Sequence, residues 1–82
     1  MRTFGERMQY ARRLRGMSQA ELARQLGMAR QQVYSYEKDR FDPSLEIAKR
    51  IADVLNVSLD VLTGRELFPG EDVAEPEPAA VA

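Results

Sequence analysis

Met17-Ser18-Gln19-Ala20-Glu21-Leu22-Ala23-Arg24-Gln25-Leu26-Gly27 and Ala29-Arg30-Gln31-Gln32-Val33-Tyr34-Ser35-Tyr36-Glu37-Lys38 stand one residue apart, and their reading decides the fold. Ser18-Gln19-Ala20-Glu21 has the spacing of a capping box, which opens a helix. Leu22, Ala23 and Leu26 then fall on one face at helical spacing. Gly27 stops this helix, because a glycine takes the positive φ that ends it. The next helix runs from Ala29 or Arg30 to Lys38, with Val33, Tyr36 and Glu37 on its inner side. The small Ala23 lets the two helices cross closely, and Val33 fills the gap between them.

The same punctuation continues outward. Thr3-Phe4-Gly5-Glu6 is another capping box. Phe4, Met8 and Ala11 or Arg12 recur behind it, with Leu14 close to the same side, and Gly16 ends the helix. Asp42-Pro43 breaks the chain after the central pair. Ser44 caps a fourth helix whose apolar face is Ile47, Ala48, Ile51, Ala52, Val54 and Leu55, and Asn56 ends it. Ser58 caps a short fifth helix, Leu59 to Thr63, closed by Gly64. No segment alternates with period two, so the expected fold class is all-α. Helices this short do not stand alone in water and must share one core. Leu22, Leu26, Val33, Ile47, Ile51 and Leu55 are its expected centre.

The chain has 82 residues, of which 44% are apolar and 30% charged, enough for one small domain. Cys and His are both absent. That excludes a disulfide framework, a thiolate metal site and His-based acid–base chemistry. No enzyme, metal or cofactor is expected. No apolar run approaches the roughly 18 residues of a membrane span, and no signal segment is seen, so a cytoplasmic protein is expected.

The net charge of −1 hides an asymmetry. Residues 1–40 carry nine basic and four acidic groups, eight of the basic ones Arg. Residues 64–82 carry Arg65 against five carboxylates. Arg excess suits an anionic partner. The expected organisation is a domain over residues 1–64 and an acidic, Pro-rich tail over 65–82, disordered or partner-binding, that repels phosphate.

The central pair is a helix-turn-helix, whose second helix enters the DNA major groove. Met17 to Gly27 resembles the first half of that motif in the phage repressor and Cro (Xre) family. Val33-Tyr34-Ser35-Tyr36-Glu37 and Pro43-Ser44-Leu45 resemble its second half, and Val57-Ser58-Leu59-Asp60-Val61-Leu62 resembles the family's fifth helix. The resemblance implies a five-helix, lambda-repressor-like domain and a sequence-specific transcriptional regulator, most simply a small repressor. It implies that Gln19 touches phosphate and braces the start of the recognition helix. Arg30, Gln31 and Ser35 match positions facing base edges, and Tyr34 lies on the same exposed side. Gln32, Lys38 and Arg40 match positions at or beside the DNA backbone. Arg12 and Glu37 match an inward ion pair that sets the recognition helix on helix one.

Two departures stand out. Ala29 replaces the usual capping Ser or Thr of the recognition helix, and Asp39 replaces the usual Gly after it. The expected partner is double-stranded DNA carrying an inverted repeat, bound by a weak homodimer through Leu59, Leu62, Leu67 and Phe68. In the alternative, Leu67 and Phe68 fold back over helices one and five. A second functional reading is an antitoxin-type module whose tail binds a protein partner.

Overall fold

The structure, a computed structural model, describes residues 3–71. Five helices follow in order: α1 (Phe4–Leu14), α2 (Gln19–Leu26), α3 (Arg30–Glu37), α4 (Leu45–Leu55) and α5 (Leu59–Thr63). No strand occurs among the described residues. Four of the five helices carry the side-chain N-cap read from the sequence. Thr3, Ser18, Ser44 and Ser58 each accept from the N–H three residues on. The Thr3 box is complete, with Glu6 Oε1 accepting from the Thr3 N–H at 3.3 Å. The Ser18 box is half made, because the Glu21 carboxylate turns instead to Arg24 and Gln25.

The shared core consists of Met8, Leu22, Leu26, Val33, Ile51, Leu55 and Leu62, each exposed by 1% or less. Ile47 packs at its edge. Burial of each such side chain contributes about 1.5–3 kcal/mol. Leu14 departs from expectation: it is 56% exposed. It lies at the last position of α1.

Two close fits set the position of α3. Gly27 takes φ +72° and turns the chain between α2 and α3. At the other end of α3, Gly5 lies so near that a Cβ there would come within 2.4 Å of the Glu37 carbonyl oxygen. Asp39 occupies the turn in place of glycine at φ +58°. Asp is among the few side chains that tolerate this region. Its carboxylate accepts from the Gly5 N–H at 2.9 Å and from the Thr3 hydroxyl at 2.6 Å. The substitution thus couples the end of α3 to the positive start of α1.

Residues 65–71, expected to belong to the tail, lie against α1 and α5. Phe68 is 2% exposed and meets the Tyr10 ring edge-on at 4.8 Å. Arg7 is 3% exposed and donates to the carbonyls of Val61 and Glu66 and, through two nitrogens, to both oxygens of Glu71. Its guanidinium also sits 5.1 Å from the centre of the Phe68 ring. The boundary expected at residue 64 therefore falls inside a packed unit that continues to at least Glu71. The physical reason is Arg7, whose buried charge requires a carboxylate and carbonyls from this segment. Asp72 to Ala82, the remainder of the expected tail, lie outside the described residues.

Candidate nucleic-acid interface

α3 is held from beneath and open above. Val33, Tyr36 and Glu37 are buried as expected, and Arg30, Gln31 and Gln32 are exposed. Ala29 precedes α3 with no side-chain cap, and no acidic residue stands in its first turn. The unsatisfied N–H groups and the dipole make this end positive, and Arg30 adds to that charge. Such a terminus suits an anion.

A chain of side chains runs from the core to this end. Arg12 donates to both oxygens of Glu37, at 2.6 and 3.1 Å, and to the Met17 carbonyl. The Glu37 side chain is fully buried. Gln19, at the first position of α2, donates its amide to Glu37 Oε1 at 3.0 Å. The amide oxygen of Gln19 accepts from Arg30 at 3.0 Å. The ion pair read from the sequence is therefore present, and it is linked through Gln19 to the exposed Arg30.

At the far end of α3, Tyr34 is half-buried. The Lys38 ammonium lies 5.7 Å from its ring centre and the Arg40 guanidinium 5.3 Å. The aromatic face gathers two cations beside one another. Gln32 donates to the Tyr36 hydroxyl at 3.1 Å, which fixes its side chain along the helix. Ser35 differs from the expectation of an exposed base-facing residue. It is 6% exposed and lines a groove together with Phe41. The chain after α3 turns at Asp39, and the Arg40 N–H donates to the Ser35 carbonyl at 2.9 Å.

Part of the arginine excess is structural. Arg7 and Arg12 are buried. Arg15 donates to the carbonyls of Leu55 and Asn56 at the end of α4, and Arg50 to the carbonyl of Leu26 at the end of α2. These side chains satisfy helix ends. The sequence gives no local signal for this, because each partner is at least 24 residues away. Among the described residues, no group of three or more His, Cys, Asp or Glu is placed to hold a metal ion. No described helix is long and apolar enough to cross a membrane.

Five helices around one core, with α2 and α3 joined by a tight glycine turn, define a helix-turn-helix module. Residues 8–62 match the model of a helix-turn-helix family, and the chain belongs to that family, of the Xre/Cro type. It is 30% identical over 73 residues to the immunity repressor protein of Bacillus phage phi105, covering 89% of this chain and 51% of that protein. The chain thus spans about half the length of that relative. Among solved structures, the biofilm regulator SinR of Bacillus subtilis in complex with DNA is 31% identical with a TM-score of 0.68, covering 73% of this chain and 97% of that one. The P22 c2 repressor bound to a synthetic operator shares the fold, with a TM-score of 0.74 at 23% identity, covering 80% of this chain and 100% of that one.

Proposed function

We propose that this protein is a sequence-specific DNA-binding transcriptional repressor, acting in the cytoplasm by placing α3 in the major groove of its operator. The observation that carries the reading is the link Arg12–Glu37–Gln19–Arg30, which fixes an exposed arginine at the positive start of α3. Arg30 pairs with a guanine edge, and Gln31 with adenine or a neighbouring base. Gln19 touches phosphate from the start of α2. Lys38 and Arg40, gathered on Tyr34, contact phosphate without reading sequence. The carboxylates of residues 64–82 oppose non-specific binding.

The operator is an inverted repeat, bound by two copies with half-sites about 34–36 Å apart. Leu62 and Phe68 belong to the monomer core, so self-association falls to Leu59, which is half-buried, and Leu67, which is 44% exposed. A patch of that size gives a weak dimer that forms on DNA. Selection of binding duplexes from a random pool, followed by footprinting, tests this reading. The expected result is two protected half-sites related by a dyad. Equal binding to every duplex overturns it.

A further inference from the structure

The turn that ends α3 pivots on Asp39. The Asp39 N–H donates to the Tyr36 carbonyl at 3.0 Å and the Arg40 N–H to the Ser35 carbonyl at 2.9 Å. This pair of bonds closes a Schellman motif, whose pivot takes a left-handed conformation that glycine adopts without strain. Asp39 takes it at φ +58°. The side chain there is held, because its carboxylate accepts from the Gly5 N–H at 2.9 Å and from the Thr3 hydroxyl at 2.6 Å. Both oxygens go to the start of α1 rather than to the cations on either side, Lys38 and Arg40.

The turn decides where those two cations lie. Lys38 follows Tyr34 by four residues and so shares its face of the helix. Arg40 follows it by six, and in a continuing helix would point to nearly the opposite side. The left-handed pivot reverses this. It brings the Arg40 guanidinium to 5.3 Å from the Tyr34 ring centre, beside the Lys38 ammonium at 5.7 Å. Both cations are on exposed residues, where a contact with a ring is weak and does not by itself fix a long side chain. The direction of the main chain at residue 39 keeps them together, and the bonds to α1 fix that direction. α1 is in turn seated in the core through Met8 and Ala11.

We propose that Asp39 is a positioning residue for DNA binding: by anchoring the left-handed turn to α1, it presents Lys38 and Arg40 side by side to the phosphate backbone. The proposal rests on the DNA-binding reading above. It gives an acidic residue a favourable part in binding an anionic ligand, through geometry and against its own charge. A glycine at this position would make the turn but leave it untied from α1.

The test compares Asp39→Gly with Asp39→Asn in the full chain, on a duplex selected from a random pool. The two variants carry the same charge, and both new residues tolerate the left-handed conformation. Asparagine keeps the tie, since its amide oxygen accepts from the Gly5 N–H and its NH2 donates to the Thr3 hydroxyl. Glycine removes it. Asp39→Asn is expected to bind at least as tightly as the parent. Asp39→Gly is expected to bind more weakly than Asp39→Asn, with a salt slope smaller by about one unit, the loss of one phosphate contact. In chains that also carry Arg40→Ala, the gap in affinity between the two variants is expected to shrink, which a merely structural role for Asp39 would not bring about. Urea unfolding of the same proteins confirms that each is folded under the binding conditions. Equal affinity and slope for the two variants overturn the proposal and leave the DNA-binding reading standing, as does a gap that Arg40→Ala leaves undiminished. Failure to select any duplex overturns both.

Discussion

Gln19 and Arg30 are joined by a hydrogen bond of 3.0 Å, from the guanidinium to the amide oxygen. The other end of the same amide is held by Glu37, a carboxylate with no exposed side-chain surface. An exposed arginine is ordinarily free to sample many rotamers. Here its position is tied to the core before any partner arrives, which lowers the ordering cost of binding.

Arg30→Ala is therefore expected to relax preference at one base pair and cost about 1–3 kcal/mol there. Gln19→Ala should blunt the preference at that same base pair, because it releases Arg30. Lys38→Ala should weaken all duplexes alike and reduce the salt slope by about one unit. Affinities over a panel of singly substituted operators at several salt concentrations check all three. A uniform loss with Arg30→Ala would remove it from the base-reading set.

Glu37→Ala leaves Arg12 buried without its carboxylate and is expected to destabilise the domain by about 3–5 kcal/mol. Arg12→Met alone strands Glu37 and should cost a similar amount. The double replacement, Arg12→Met with Glu37→Leu, should recover much of the stability. It should not recover operator preference, since Gln19 then has no anchor. Urea unfolding and binding measured on the same variants separate the two effects.

The two ends of α3 respond oppositely to one added group. Ala29→Ser supplies the missing cap and should raise stability by about 0.5–2 kcal/mol. Gly5→Ala places a methyl against the carbonyls of Tyr36 and Glu37, at 2.6 and 2.4 Å, and must push α1 off α3. A loss of about 1–3 kcal/mol or more is expected from such overpacking. Thermal melts read both.

The Arg7 guanidinium holds the Glu71 carboxyl below its ordinary value of 4.5, chiefly by hydrogen bonding. A carboxylate lowered in the folded state stabilises fully above its unfolded pKa. That contribution is lost as pH falls through the lowered folded value. Residues 65–71 should accordingly loosen in acid, below the usual carboxylate range. NMR signals of the Phe68 and Tyr10 rings report this directly. Glu71→Gln should flatten the acid dependence. Phe68→Ala should cost about 3–5 kcal/mol at neutral pH. An acid profile unchanged by Glu71→Gln would show that another group governs the segment.

The helices were legible because their signals are local. Caps at Thr3, Ser18, Ser44 and Ser58 act over three residues, and the apolar stripes of α2 and α4 over four. The inward placement of Arg12 and Glu37 was legible in helical spacing, and their pairing through family resemblance alone. Arg7, Arg15 and Arg50 were not legible, since their acceptors lie 24 to 64 residues away and nothing in their neighbours marks them. Asp39 shows the same limit. Its conformation follows from the turn, but its bond to Gly5 depends on how α1 meets α3. The motif position of Ser35 points to the outer face, and nothing local to it marks its burial.

The first of the five helices is completed last. The partners of α1 lie 25 residues downstream for Arg12, 34 for Gly5 and as far as 64 for Arg7. At synthesis rates of about 5–20 residues per second, Arg7 waits roughly 3–13 s for Glu71 to be added. Until then its charge stays in water, and α1 is held by its bonds to α3 but not by the segment beyond α5. A chain interrupted between residues 39 and 71 would keep α1 on α3 but leave Arg7 without the Glu71 carboxylate, so proteases should find such a product first at α1.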